Sequence, residues 1–144
     1  MLGKIFNIGG SALNAQLVRM NVASSNLANI NTVSTNEDDA YRAKRVVFKA
    51  IMKDFSSIND SMALGQNEGG VNISKISEDK TPVKKQYDPG NPLADKEGYI
   101  YQSNVSEVGE MVEMMAAART YQNNVETLNT AKQLMLRTID LLRS

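Results

Sequence analysis

Apolar residues in the first segment fall at Phe6, Leu13, Met20 and Leu27, one at every seventh position, and Leu17, Ala23 and Ile30 continue the same stripe. A repeat of that period is what one buried face of an α-helix produces. Asn7, Asn14 and Asn21 line up beside it as a polar stripe, either plain surface or amides that fix the register between packed helices. Ser11 reads as an N-cap after Gly9 and Gly10, because each glycine inside a helix costs roughly 1 kcal/mol. The first ten residues are therefore a weak helix alone, expected to order on docking. The helix gives out around Asn29 to Thr35, where Asn and Thr side chains compete for backbone hydrogen bonds.

The last segment carries the strongest periodicity. Met111, Ala118, Val125, Lys132 and Ile139 share one heptad position, and Met114, Tyr121, Leu128, Met135 and Leu142 share the position three residues later. This is an a/d seam broken only by Lys132. Asn104 followed by Glu107 reads as a capping box. Glu107, Glu110 and Glu113 form a solvated first stretch suited to the positive end of the helix dipole, and Arg137 and Arg143 suit its negative end. A helix from about residue 104 to 143 would be about 60 Å long, whereas a compact chain of this size has a radius of gyration of about 14 to 15 Å. Either the helix breaks, or the molecule is elongated and its seam finds partners in other copies.

Shorter periods fill the middle. Val46, Val47, Phe48, Ile51 and Phe55 are interleaved with Arg42, Lys44, Arg45, Lys49 and Lys53, predicting a strand from near Arg42, with a short helix from Phe48 as the alternative. Ser56 to Gly70 reads as a flexible stretch. Val71, Ile73 and Ile76 predict a further strand and Pro82 to Tyr87 another. Asp88, Pro89, Gly90, Asn91 and Pro92 make a tight turn, because Pro presets one dihedral and Gly supplies another. Gly98 to Tyr101 closes the set. The fold class is α+β: an N-terminal helix in residues 1–33 and a long C-terminal helix in 104–144 pair as a coiled-coil-like unit. Between them, residues 34–103 form a small β-rich domain with a loop at about 56–70.

Composition changes the picture by what it removes. The chain has no His, Cys or Trp, so imidazole bases, thiol nucleophiles, disulfides and the usual zinc and iron-sulfur ligand sets are excluded. An enzyme remains a remote third alternative, through paired carboxylates of the kind some glycosidases use. Lys plus Arg number 16 and Asp plus Glu number 16; a dedicated nucleic-acid binder would carry a cationic surplus, while minimal self-repulsion suits association with like copies. The charge is uneven: residues 1–33 carry only Lys4 and Arg19, and most of the rest lies in the middle. The longest apolar run, Met114 to Ala118, is too short for a bilayer, and the start lacks the apolar core of a cleaved signal peptide.

Each candidate for chemistry has a plainer reading. Glu107, Glu110 and Glu113 have metal-ligand spacing, but carboxylate-bridged bundle sites need Glu-x-x-His, so a solvated first turn is expected and no metal or other cofactor. Gly9-Gly10 and Gly69-Gly70 stand in neither of the glycine-rich phosphate motifs. The basic run Arg42 to Lys53 follows Glu37, Asp38 and Asp39 and lacks aromatic interleaving; it reads as a charged strand edge that blocks unwanted pairing. Met111, Met114, Met115 and Met135 suit an adaptable groove, and their heptad spacing suits helix packing.

Ser25-Asn26-Leu27-Ala28-Asn29-Ile30-Asn31-Thr32, at the end of the first helix, resembles the S-N-L-A-N-x-x-T signature of bacterial flagellar axial proteins, the rod, hook and related subunits. Within that family the chain is similar to the proximal rod subunits of the basal body. The further likeness lies in Tyr41-Arg42-Ala43-Lys44, Val46-Val47-Phe48, Tyr87-Asp88-Pro89-Gly90-Asn91-Pro92, Ala94-Asp95, Gly98-Tyr99, Asn104-Val105, Glu110-Met111-Val112, Met114-Met115-Ala116-Ala117, Arg119 and Tyr121. Only about Ser56 to Gly70 is left out of it. One departure is local: the Gly-aromatic pair that often follows the signature is replaced by Val33-Ser34-Thr35-Asn36 and an acidic patch.

The resemblance implies a non-enzymatic structural subunit of the flagellar basal-body rod, the periplasmic drive shaft around the export channel. Its expected partners are other copies of itself, other rod proteins and the flagellar type III export apparatus, with export that needs no cleaved signal; no nucleic acid or small-molecule substrate is expected. Its motif residues are Ser25, Asn26, Leu27, Ala28, Asn29 and Thr32. The expected subunit-packing residues are Leu13, Leu17, Met20, Leu27 and Ile30 on the first helix. Their counterparts on the last are Met111, Met114, Tyr121, Val125, Leu128, Met135, Ile139 and Leu142. A soluble coiled-coil adaptor or type III secreted protein forming a small oligomer is the alternative.

Overall fold

The computed structural model describes residues 2–51 and 69–143. The elements run α1 (Leu2–Ala28), β1 (Val33–Ser34), β2 (Lys44–Ala50), β3 (Val71–Glu78), β4 (Lys84–Tyr87), β5 (Tyr99–Gln102) and α2 (Glu107–Arg143). Two long helices thus enclose a small middle β region, an α+β fold. The loop expected at about 56–70 lies, up to residue 68, outside the described residues, as do Lys53 and Phe55.

Helix α1 does not wait for Ser11. It is continuous from Leu2 with Gly9 and Gly10 inside it. Ser11 Oγ instead donates to the Ile8 carbonyl at 2.7 Å and accepts the Val71 N–H at 3.1 Å, tying the start of β3 to the helix. At the other end, the expected box of Asn104 and Glu107 gives way to Ser106. Its Oγ accepts the Gly109 N–H at 3.3 Å and its carbonyl accepts the Glu110 N–H at 2.9 Å, so α2 starts at Glu107 and Asn104 is released for other work.

The 37 residues of α2 are unbroken, which at 1.5 Å per residue makes a rod of about 55 Å. Helix α1 packs along it antiparallel: Gly9 lies against Leu128, Arg19 pairs with Glu113 and Asn26 with Glu110. Continued, that register sets the start of α1 opposite about residue 133, leaving the last turns of α2 beyond it. The accessible surface is 10759 Å², against about 7,300 Å² expected for a compact globule of 15.8 kDa. Elongation, not breakage, resolves the helix's length. The buried apolar side chains are small, with Ala15, Ala23, Ala40, Ala43 and Ala117 joined by Val83, Ile100 and Val105.

The strands form two sheets. One is the hairpin β2–β3, where Val46 faces Ile76, Phe48 faces Ile73 and Ala50 faces Val71. The pairing slips between Val47 and Phe48, leaving Ser74 without a partner. This bulge is why Val71, Ile73 and Ile76 do not alternate strictly, yet lie on one face. Of the two readings of Phe48, the strand is the one adopted. The second sheet has the order β1-β5-β4, all antiparallel, with Ile100 of its central strand buried.

Asp88 to Pro92 turns the chain out of β4 as expected, and Asp95 brings it back. The Asp95 carboxylate accepts the N–H groups of Glu97 and Tyr99, both at 2.9 Å. The Tyr99 amide is the chief cause holding that carboxyl below its usual range, against a smaller opposing effect of burial. Gly98, at φ +82°, has the left-handed backbone this return requires.

Candidate functional site

Helix α1 uses small residues where it meets α2. A Cβ on Gly9 would lie 2.5 Å from Leu128 Cδ2 and 2.9 Å from its Cγ, so the glycine is what lets the two backbones approach. Among the described residues of α2, Glu110 and Ala117 are buried and Met114, Tyr121, Asn124, Leu128, Ala131 and Met135 half-buried, a stripe with the 3.5-residue period of a coiled-coil seam. One row of the expected seam, Met114, Tyr121, Leu128 and Met135, therefore faces α1. The companion row differs by one residue: Met111, Lys132 and Ile139 are exposed, and Ala118 and Val125 sit half-buried at the flank. Hydrophobicity would have chosen Met111 and Ile139. Close approach chose Ala117 and Ala131, which have no bulk to hold the backbones apart.

Of the other residues expected to pack, Leu13, Met20, Leu27 and Ile30 are half-buried, Leu17 is exposed and Leu142 is 82% exposed. Asn7, Asn14 and Asn21 all face outward. Gly9→Ala should therefore gain none of the roughly 1 kcal/mol that Ala usually brings to a helix, because its methyl displaces Leu128. In the Leu128→Ala background the gain should return. Thermal melts of the four chains followed by circular dichroism test this, and a Gly9→Ala gain already present beside Leu128 would refute the close contact.

Above the seam the two helices and β2 meet at one polar node. Asn26, 0% exposed, uses its whole amide: Nδ2 donates to the Lys44 carbonyl at 2.9 Å and to Glu110 Oε2 at 3.0 Å. Its Oδ1 accepts the Lys44 N–H at 2.9 Å and the Tyr41 hydroxyl at 3.0 Å. Lys44 opens β2, so Asn26 mimics a strand neighbour and docks the β hairpin on α1 through both backbone groups of one residue. Glu110, 1% exposed, carries the tie on to α2, and its other oxygen accepts from Arg45 Nη1 at 2.9 Å. The solvated first stretch expected for Glu110 is thus corrected: it is a buried, fully partnered carboxylate. Glu113 accepts Arg19 Nε at 2.8 Å with the same guanidinium's Nη2 on the same oxygen.

Asn104 makes a second strut. Its Oδ1 accepts the Ala43 N–H at 2.7 Å, and its Nδ2 donates to the Thr81 carbonyl and hydroxyl, both at 2.9 Å, and to the Asp79 carbonyl at 3.3 Å. The Thr81 backbone amide, then its hydroxyl, hold the Asp79 carboxyl below its ordinary range, and Arg45 adds to this against the opposing effect of burial. Beside the node lies a cleft of about 330 Å³ lined by three cations: Arg19 and Arg45 are paired with Glu113 and Glu110, and the Lys44 ammonium lies over the Tyr41 ring. The arrangement holds elements at fixed angles. Among the described residues no group of three or more potential metal ligands occurs.

The motif residues explain themselves in this frame. Ser25 Oγ lies 3.4 Å from the Tyr41 hydroxyl. Asn29 Nδ2 donates to the Ser25 carbonyl at 2.8 Å, and Thr32 Oγ1 donates to the Asn29 carbonyl at 2.6 Å, so the pair shapes the exit from α1. Leu27 is half-buried and Ala28 exposed. Arg45, Glu110, Tyr41 and Asn104 were not legible as one network, although Tyr41, Asn104 and Glu110 lie in stretches that carry the family likeness. Of the basic run, Arg42 donates to the Thr81 carbonyl at 3.3 Å and Lys49 is exposed.

Residues 6–33, which hold most of α1 and its motif, match the family described as flagella basal body rod protein, and residues 96–141, which hold most of α2, match the C-terminal family of flagellar basal body rod FlgEFG proteins. Along its length the chain is 49% identical to the flagellar basal-body rod protein FlgC of Salmonella typhimurium (strain LT2), over 95% of each chain. The chain belongs to the FlgC family of flagellar basal-body rod proteins. The same identity and coverage hold for FlgC of Escherichia coli O157:H7, and FlgC of Bacillus subtilis (strain 168) is 39% identical over 94% of each chain. Within the family frame the chain is a structural part of the basal-body rod. Its two family matches fall on the two helices that meet at Gly9–Leu128 and Asn26–Glu110.

Proposed function

We propose that this rod subunit works mechanically, assembling through α1 and α2 with copies of itself and other rod proteins into a drive shaft that carries torque across the periplasm. In this reading the shaft surrounds the channel through which later subunits are exported, and the chain itself leaves by the flagellar type III apparatus without a cleaved signal. The observation that carries the assembly is the apolar surface α1 and α2 leave uncovered once paired: Ile5, Ile8 and Leu17 on one, Met111, Ile139 and Leu142 among others on the other. A chain that functions alone rarely leaves so much. Residues expected to pack between subunits fall into two groups, those that build the α1–α2 seam and those the seam leaves outside. Stiffness follows from the polar node, which fixes the β region to the helix pair, and from close packing, which transmits strain.

The test is composition and state. Isolated basal bodies should contain the chain, and cells lacking it should assemble no rod and not swim. The purified chain should be largely monomeric. A fixed small oligomer in solution together with absence from basal bodies would favour an adaptor and overturn this reading.

A further inference from the structure

We infer that a water molecule sits at the middle of the α1–α2 seam, donating to Gln16 of α1 and shared with Tyr121 or Asn124 of α2. Gln16 Oε1 is a buried oxygen, and among the described residues no donor reaches it. The polar node nearby is in the opposite state, with both polar atoms of the Asn26 amide bonded twice. A buried acceptor left unpaired costs stability. Folded chains satisfy nearly all such groups, and where no protein donor is at hand an ordered water does so.

The place of Gln16 in the seam says what shares the water. Gly9, Gln16 and Ala23 are spaced by sevens along α1, so all three lie on the face that meets α2. Gly9 lies against Leu128, and seven residues further along the antiparallel pair Gln16 comes level with about residue 121. Between Ala117 and Leu128 the half-buried stripe of α2 holds two polar side chains, Tyr121 and Asn124. Neither has its polar group engaged in a hydrogen bond elsewhere among the described residues. Gln16, Tyr121 and Asn124 are all half-buried, so water reaches this layer from the side of the seam without crossing an apolar core.

Water suits these groups because it can give two protons and accept two. One molecule can donate to Gln16 Oε1 and still bond the Tyr121 hydroxyl or the Asn124 amide, each of which can donate or accept. Such a layer also favours one register. A slip of one heptad would set Gln16 level with Leu128 or Met114, apolar members of the same row, and Tyr121 and Asn124 would lose the amide opposite them. Gln16 is in this sense a positioning residue for the helix pair, acting from inside the seam as Asn26 acts above it.

Gln16→Met keeps the length of the side chain and removes its polar atoms. With the bridging water lost, Tyr121 and Asn124 lose a shared partner, and the equilibrium constant for unfolding should rise roughly three- to tenfold. Were Oε1 simply unpaired, the same change would remove a buried polar group and the chain would gain stability; a gain or no change therefore overturns the water. Urea unfolding of Gln16→Met alone and in the Tyr121→Phe and Asn124→Ala backgrounds makes the measurement. In the background that lacks the sharing group the effect of Gln16→Met should shrink, and full additivity with both overturns the bridge. A crystal structure of the unaltered chain gives a readout independent of stability. It should place one ordered water within hydrogen-bond distance of Gln16 Oε1 and of Tyr121 or Asn124; a protein donor bonded directly to that oxygen, or no water beside it, overturns the site.

Discussion

Asn26→Ala is expected to destabilise the chain by about 3 to 6 kcal/mol, because it strands four partners at once. The Lys44 N–H and carbonyl, the Tyr41 hydroxyl and Glu110 Oε2 each lose a hydrogen bond supplied by this one amide. Leaving a buried polar group unsatisfied costs about 1 to 3 kcal/mol, and partial access to water keeps the total below a simple sum. Against the usual total of about 5 to 15 kcal/mol for a domain, the variant sits near the edge of folding. Asn26→Asp should fare no better, since it loses both donors and sets a carboxylate beside Glu110. Ala28→Ser, exposed two residues on, is the control and should change little. Urea unfolding followed by tyrosine fluorescence measures all three, and a loss under about 1 kcal/mol for Asn26→Ala would show that the node does not hold the fold together. A variant that folds but has lost the node should still fail to build stiff rods, because the angle between the helix pair and the β region is no longer fixed.

Leu128→Asp should abolish swimming. Leu128 packs against Gly9 where the backbones are closest, and its replacement removes an apolar side chain and places a carboxylate in the seam. The combined penalty is about 2 to 4 kcal/mol for a half-buried site, concentrated in a helix pair with few large buried side chains to spare. The purified variant should lose helical ellipticity, and cells carrying it should contain no complete rods. Leu128→Ala, which only leaves a gap, should fall between this variant and the unaltered chain. Normal motility and normal rods with Leu128→Asp would sink the seam.

Much of the architecture was legible because it depends on local periodicity. The row of α2 from Met114 to Met135, the stripe Phe6, Leu13, Met20 and Leu27, the turn at Asp88 to Pro92 and the strand at Val71 to Ile76 are each set by residues within a few turns or pleats of one another. The helix starts were less legible. Ser11 and Asn104 both have the chemistry of a cap, yet each was drawn to distant backbone, Ser11 to Val71 at the start of β3 and Asn104 to Ala43 and Thr81 beside the strands. A side chain that can satisfy a nearby backbone group can satisfy a remote one equally well, and only the packing decides which is presented.

The same division holds for the site. The sequence by itself determined that catalysis by histidine or cysteine is impossible, that two long amphipathic helices flank a small β region, and that the motif ending α1 is that of flagellar axial proteins. Periodicity and composition suffice for the first two, and the third is a resemblance of motif; all three are properties of neighbours along the chain. Only the tertiary structure decided which flank of the Met114–Leu128 row α1 would take, and that Glu110 is a buried anchor for Asn26 and Arg45 instead of a solvated carboxylate. Those outcomes turn on how closely two backbones can approach. That distance is set by Gly9 and Ala117, residues that carry almost no pattern of their own.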